Sequence, residues 1–120
     1  MSKKELAFPK SRRLTKPSEF DSVKKDGCAQ RGQLMLLSVL ETDHAAPFRA
    51  GVVTSRALGS PVKRNRVRRL LREIVRRHQR EIADGKWIVT IARANAAKAS
   101  YQQLEVEWLR LAERASILAA

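Results

Sequence analysis

The stretch KRNRVRRLLREIVRRHQR, residues 63–80, decides the fold. On a helical wheel of about 100° per residue, its aliphatic residues lie on one side and its arginines on the other. The aliphatic side consists of Val67, Leu70, Leu71, Ile74 and Val75. The opposite side consists of Asn65, Arg68, Arg69, Arg72 and Arg76, with Arg66 and Arg77 at its edges. The pattern predicts an amphipathic helix that packs on a core and presents a row of guanidinium groups.

Most of the net charge of the chain lies in this helix. The chain has 120 residues, with 25 Lys or Arg against 12 Asp or Glu, and a formal net charge of +13. Residues 63–80 hold nine basic residues and one acidic residue, and residues 1–16 hold six and one, whereas residues 17–62 and 81–120 are neutral. Charge that is so localised indicates a polyanionic partner. Nucleic acid is the first candidate, and an anionic membrane surface is the second.

The arginine row favours nucleic acid over solvent or a membrane. Like charges four residues apart, such as Arg68 and Arg72, destabilise a helix by ~0.2–0.5 kcal/mol per pair, so a merely solvated face mixes its signs. The planar guanidinium grips phosphate with two hydrogen bonds and stacks on bases. A membrane-binding helix would need its apolar face for lipid, but this chain needs that face for its core. No apolar run approaches the ~18 residues of a membrane span.

The segments around the basic helix predict a single small α+β domain. A helix is expected over residues 18–26, capped by Ser18 and ended by Gly27. Ser60 and Pro61 begin the basic helix, which should run to about residue 83. Ser100 and Gln103 fit a capping box before a last amphipathic helix. Strands are expected at 28–31 (a short edge strand), 33–40, 48–55 and 87–92.

The resulting element order is α-β-β-β-α-β-α, and we expect a mostly four-stranded sheet. We expect residues 1–13 to form a flexible basic arm and residues 14–120 a single nucleic-acid-binding domain. The one cysteine, Cys28, has no disulfide partner within the chain, which favours a cytoplasmic protein, and we expect it to be a small buried residue.

The chain offers little catalytic machinery of its own. We expect His44 and His78 to be solvated, and nothing pairs Cys28 with a general base. Glu105 and Glu107 are two residues apart, so a helix points them in different directions. No Cys/His spacing suits zinc and no glycine-rich phosphate loop is present. We therefore predict no catalytic residues and no metal site in the protein.

The stretch GVVTSRALGSPVKRNRVRRLLREIVR, residues 51–76, resembles the signature of the bacterial ribonuclease P protein subunit. Its centre is the element Arg64-Asn65-Arg66. The segment LTKPSEFDSVKKDG, residues 14–27, resembles the first helix of that family with its phenylalanine, here Phe20. Residues 87–104 resemble its fourth strand and the entry to its last helix.

The resemblance implies a fold and a function. The fold would include a left-handed β-α-β crossover around the basic helix. The protein would be one subunit of a ribonucleoprotein that removes the 5′ leader from precursor tRNA by endonucleolytic hydrolysis. The RNA subunit would be the catalyst and would hold most of the Mg²⁺. The protein would bind that RNA and the single-stranded leader, with neither a membrane nor DNA as partner.

The resemblance also implies residue roles. The contacts to the RNA subunit would be Ser55, Arg56, Lys63, Arg64, Asn65, Arg66, Arg68, Arg69, Arg72 and Arg76. The leader contacts would be Phe20, Lys24 and Leu37, of which the last two stand where the family often has aromatic residues. Ala57 and Pro61 depart from the family pattern as well.

Two other classes share parts of the sequence pattern. A small ribosomal or other structural RNA-binding protein would carry the same basic helix, and the residues alone leave it open. A DNA-binding helix-turn-helix needs a partner helix just upstream, where residues 33–55 predict strands instead.

Overall fold

The computed structural model describes residues 12–118, and they follow the predicted element order. The elements are α1 (Pro17–Asp26), β1 (Cys28–Arg31), β2 (Met35–Glu41), β3 (Arg49–Val53), α2 (Pro61–Arg77), β4 (Lys86–Ala92) and α3 (Tyr101–Arg114). Short 3-10 turns lie at Arg56–Leu58, Gln79–Glu81 and Ala94–Lys98. The α+β prediction is confirmed.

The four strands form one mixed sheet in the order β1-β2-β4-β3. The pairs β1–β2 and β2–β4 are antiparallel, whereas β3 and β4 are parallel. Parallel neighbours need a crossover connection, and α2, which lies between them in sequence, supplies it. The left-handed sense of this crossover stays an expectation of the resemblance.

The two faces of the sheet carry different helices. On one face, α2 and α3 cover the larger core, in which the predicted residues Val67, Leu71, Ile74 and Val75 are buried. On the other face, α1 covers a smaller cluster around Val23. The side-chain alternation of the strands separates these two clusters, because successive residues of a strand point to opposite faces.

The indole of Trp108 holds α3 to the sheet. It is fully buried, and its Nε1 donates a hydrogen bond to the hydroxyl of Thr90 at 3.1 Å. The capping box predicted for this helix is present, with Ser100 and Gln103 bonded reciprocally. The helix ends at Arg114.

Two helix boundaries differ from the sequence prediction. α1 begins at Pro17, with Lys16 rather than Ser18 at the N-cap. A proline at the first helical position is pre-organised for the helix, and the Glu19 carboxylate accepts the N–H groups of Thr15 and Lys16 in place of a serine cap. α2 ends at Arg77 instead of residue 83, because a 3-10 turn follows.

The surroundings of two residues differ from the sequence prediction. Cys28 is exposed, because the edge strand β1 does not bury it. His78 is half-buried rather than solvated, with its ring nitrogens 2.6 and 2.9 Å from carboxylate oxygens of Glu81 and Glu105. It also stacks on Trp108, so it joins the end of α2 to α3.

The boundary of the basic arm also needs correction. Most of the predicted arm, residues 1–11, lies outside the described residues. Arg12 and Arg13, which we placed in the arm, belong to the domain: Arg12 lies over the ring of Phe48, and Arg13 forms an isolated bridge with Ala50. Among residues 12–118, no helix is long and apolar enough to cross a membrane.

Candidate nucleic-acid interface

The row of cations on α2 is set by the way this helix begins and packs. Pro61 occupies the first turn, and the Ser60 hydroxyl accepts a hydrogen bond from the Lys63 N–H at 3.4 Å. Because Val67 and Leu71 are fully buried against the sheet, the opposite side of the helix faces solvent. Asn65, Arg69 and Arg72 are exposed there, as the helical wheel predicted.

Arg68 is held in place by uncharged partners. Its guanidinium donates to the amide oxygen of Asn65 at 2.9 Å and to the hydroxyl of Thr54 at 2.7 Å. Arg72 lies close by, and its pKa is lowered by partial desolvation of the guanidinium and by the positive charges of Arg68 and Arg13. Three cations therefore converge on one side of α2.

The arginines at the edges of the row turn towards α3. Arg66 donates to the carbonyl of Ala99 at 3.1 Å. The pKa of Arg77 is raised by a hydrogen bond to Tyr101 and by the negative charge of Glu105. The Arg-Asn-Arg element thus points in more than one direction: Asn65 belongs to the arginine row, and Arg66 also fixes α2 to the turn before α3.

The loop before α2 has a defined shape. The Ser55 hydroxyl accepts the N–H of Ala57 at 3.3 Å, and Leu58 is buried beneath the turn. Gly59 has φ of 108°, a conformation that side chains disfavour. The predicted loop contacts Ser55 and Arg56 are both exposed next to the start of α2.

The sheet face below α1 presents a second surface. Leu36, Ile91 and Val53 are adjacent in register on three strands, and all three are half-buried. Arg31 pairs with Leu36 and extends this row to the edge strand. The row gives the face an apolar strip that ends in a cation.

Phe20 borders this strip from α1. Its ring is half-buried over Gly51, where an added Cβ would lie 2.4 Å from a ring carbon. Lys24 follows one turn later and is exposed. The structure therefore brings both of these predicted leader residues to one face of the sheet.

The prediction for Leu37 is wrong. Its side chain is 0% exposed and lies in the core beneath α2 and α3, on the face opposite α1. The neighbouring Ser38 is paired with Val89 and faces α1 instead. Side chains alternate strictly between the two faces along β2, so the sequence could have indicated that Ser38, and not Leu37, faces α1.

A cleft joins the two surfaces along the outer edge of β3. Its volume is about 560 Å³, and its walls come from residues 13–15, α1, β3 and α2. Arg13 lines it, a residue that sequence reasoning missed because it lies outside every periodic segment. The residues contributed by α2 are Asn65, Arg68, Arg69, Arg72, Glu73, Val75 and Arg76.

Among residues 12–118, no group of three or more His, Cys, Asp or Glu side chains is placed to hold a metal ion. Glu107, a buried carboxylate, instead accepts the N–H groups of Gln33 and Leu34 at 3.0 and 2.7 Å. Its role is to fix the turn before β2.

The structure defines the class of the protein as a small basic α+β domain. It has a four-stranded mixed sheet, a crossover helix with an arginine face, and a first helix on the opposite face of the sheet. The family model described as Ribonuclease P matches residues 8–116. The chain belongs to the ribonuclease P protein family, whose members are protein components of a tRNA-processing ribonucleoprotein.

Individual relatives agree with this assignment. The ribonuclease P protein component of Brevibacillus brevis is 33% identical over 109 residues, which cover 91% of this chain and 86% of that protein. The solved RNase P protein of Staphylococcus aureus matches with a TM-score of 0.82 and 25% identity, covering 89% of this chain and 97% of the other. The solved RNase P protein of Thermotoga maritima matches with a TM-score of 0.76 and 25% identity, covering 85% of this chain and 96% of the other.

Proposed function

We propose that the chain binds the catalytic RNA subunit of ribonuclease P and the single-stranded 5′ leader of precursor tRNA, and so raises the affinity of the ribonucleoprotein for its substrate. Membership of the family implies an RNA partner and a place in a tRNA-processing endoribonuclease. The observation that carries the finer proposal is the arginine face of α2. Among the described residues, Arg68, Arg69 and Arg72 of this face form no ion pair.

The RNA subunit is assigned to α2 and the loop before it. Guanidinium groups without carboxylate partners are available to phosphates, and each phosphate contact releases counterions from the RNA. The proposed contacts are Ser55, Arg56, Lys63, Arg64, Asn65, Arg66, Arg68, Arg69, Arg72 and Arg76. Arg76 is paired with Glu73 in the free protein, so it must exchange a carboxylate for a phosphate on binding.

The leader is assigned to the sheet face beside α1. Phe20 offers a partly exposed aromatic ring, and unpaired bases stack on such rings. Lys24 adds a positive charge one helical turn away. The aliphatic row of Leu36, Ile91 and Val53 widens the apolar surface, so a leader base would contact one aromatic ring and a strip of aliphatic side chains.

Hydrolysis is assigned to the RNA subunit. In this proposal Mg²⁺ is held mainly by RNA and would stabilise the negative charge that develops during phosphodiester hydrolysis. The protein contributes affinity and orientation through its cations and Phe20, with no catalytic residue of its own. We place the complex in the cytoplasm, where a reducing environment keeps a single exposed thiol such as Cys28 unpaired.

The salt dependence of RNA-subunit binding tests this proposal. We expect Arg64→Ala and Arg69→Ala each to weaken binding and to lower the log–log salt slope by ~0.7–0.9. Arg114→Ala, which removes an exposed cation at the end of α3, is the matched control and should leave the slope unchanged. An unchanged slope in the Arg64/Arg69 double variant would remove the arginine face from the RNA interface.

A further inference from the structure

The first turn of α2 exposes an aliphatic side chain on the arginine side of the helix. Val62 is 78% exposed, and it lies about 140° around the helix from the buried Val67. It precedes Arg66 by four residues and Arg69 by seven, so these three side chains share one face. An aliphatic residue on this face neither fills the core nor adds to the positive charge.

Val62 belongs to a small apolar patch whose surroundings leave it uncovered. The neighbouring Pro61 is also exposed, and we call these two residues the apolar patch. The side chain of Lys63 lies back along Gly59, with its Cδ 3.1 Å from the position that a Cβ there would occupy. The apolar patch is therefore open to solvent at the start of the helix.

The charges around the apolar patch are all positive. Residues 56–72 contain seven basic residues and no acidic residue. The turn Ala94–Lys98 packs against the turn Arg56–Leu58 and adds a lysine without a carboxylate. Arg66 donates to the carbonyl of Ala99 with one of the five N–H donors of a guanidinium, so the same side chain can still donate to a phosphate. An apolar centre with a cationic surround complements a nucleotide, which has a flat base and an anionic phosphate.

The size of the apolar patch favours a single unpaired base. Side chains cannot read the deep, narrow major groove of double-helical RNA, whereas bases in loops and bulges splay out and present their faces to proteins. Two adjacent aliphatic side chains match one base in extent. A stable protein–protein interface needs ~800 Å² on each partner, far more than one helical turn offers.

We propose that Pro61 and Val62 contact one unpaired base of the RNA subunit, and that Arg66 and Arg69 bind the phosphates on either side of it. This inference rests on the proposed function and adds a contact that is not electrostatic. Phosphate contacts depend on salt because they release counterions, whereas burial of the valine against a base releases none. The two kinds of contact can therefore be separated by experiment.

The test is the salt dependence of RNA-subunit binding by the full chain. Val62→Ser should weaken binding about fivefold to tenfold, the loss of one to two buried methyl groups, and leave the log–log salt slope unchanged. Serine and valine have similar helix propensities, so the fold should be kept. Val62→Ile keeps the apolar surface and should retain most of the affinity. Arg66→Ala should instead lower the slope by ~0.7–0.9.

Val106→Ser is the matched control. Among residues 12–118, Val106 is the other large aliphatic side chain that is strongly exposed, at 62%. It lies on α3, outside the arginine face. The same substitution there should change neither the affinity nor the salt slope.

A cross-link identifies the base. Cys28 is the one cysteine of the chain, so Val62→Cys in a Cys28→Ser background can carry a single photoreactive group. We expect it to cross-link to an unpaired nucleotide of the RNA subunit. Replacement of that nucleotide by an abasic residue should weaken binding of wild type by the same factor as Val62→Ser, and the two changes together should cost no more than either one.

Every other outcome contradicts the inference in a recognisable way. Wild-type affinity in Val62→Ser, with salt slopes still lowered by Arg64→Ala and Arg69→Ala, would remove the base contact and leave the proposed function standing. A lower slope in Val62→Ser, or additive losses from Val62→Ser and the abasic residue, would also remove it. Unchanged slopes in all arginine variants would remove the proposed function together with this inference.

Discussion

Arg49 and Glu19 form an ion pair that joins the start of β3 to the first turn of α1. The pair does more than connect two elements. Glu19 also accepts the N–H groups of Lys16 and Thr15 at 2.9 and 3.0 Å, and the guanidinium of Arg49 lies 5.4 Å from the ring centre of Trp87. This cluster holds the N-terminal wall of the cleft against the sheet.

Replacement of Glu19 by glutamine should destabilise the fold in a pH-dependent way. The hydrogen bond from the Lys16 N–H, with those from Thr15 and Arg49, lowers the pKa of Glu19 below its ordinary 4.5. A carboxyl whose pKa is lower in the folded state stabilises that state above the unfolded pKa, and the contribution is lost as pH falls through the folded pKa. The difference in free energy of unfolding between wild type and Glu19→Gln should therefore be largest near neutral pH and shrink below about pH 4.5.

Urea unfolding at several pH values between 3 and 7 measures this difference. Asp21→Asn, on the exposed side of the same helix, is the control and should change the free energy of unfolding little. A Glu19→Gln deficit of the same size at pH 3 and pH 7 would show that the carboxylate charge is not what holds the segment.

Replacement of Phe20 by alanine should weaken binding of leader-bearing precursor tRNA by ~1–3 kcal/mol, the value of one stacked base. Leaderless tRNA should bind as before. Phe20→Leu keeps an apolar side chain over Gly51 and separates stacking from packing, so it should lose affinity without losing thermal stability. If Phe20→Leu bound the leader as tightly as wild type, the aromatic ring would have no stacking role.

Replacement of Thr54 by valine should weaken RNA-subunit binding about twofold to tenfold, which corresponds to the net free energy of a typical intramolecular hydrogen bond. Valine matches threonine in shape but cannot accept the hydrogen bond from Arg68, so the guanidinium loses its fixed orientation. Filter binding at constant salt measures the effect, and circular dichroism checks that the melting temperature is kept. Wild-type affinity in Thr54→Val would mean that RNA itself orients Arg68.

Replacement of Trp108 by phenylalanine should lower the free energy of unfolding by ~1–3 kcal/mol. The change removes the donor to Thr90, whose hydroxyl is 0% exposed and would be left without its partner. Trp87→Phe, at a half-buried position, is the control and should cost less. Equal losses at the two positions would show that the buried hydrogen bond contributes nothing beyond packing.

The sequence predicted the elements whose pattern is periodic. The aliphatic side of α2 and the capping box of α3 are local features, and the structure has both where the residues indicated. The sequence prediction failed at positions whose surroundings depend on residues that are distant in sequence. The ring of His78 lies on Trp108, and Arg13 reaches β3 through Ala50, and neither relationship leaves a local signal.

In the candidate site, too, features with a local sequence pattern were predicted and features that depend on long-range packing were not. The arginine row follows from the helical wheel, because one face of α2 must be buried. The assignment of Leu37 to the leader surface failed, because one step along a strand exchanges the two faces of the sheet. The cleft leaves no local signal in the residue pattern, because it depends on the edge position of β3 and on the packing of residues 13–15 against it.

The central claim is that the protein supports cleavage that RNA performs. Its most direct test is 5′ maturation of a precursor tRNA, measured with the chain alone, with the ribonuclease P RNA of the same organism alone, and with both at low Mg²⁺. We predict no cleavage by the chain alone and faster cleavage by the mixture than by the RNA alone. Cleavage by the RNA-free chain, or a mixture no faster than the RNA, would contradict the account.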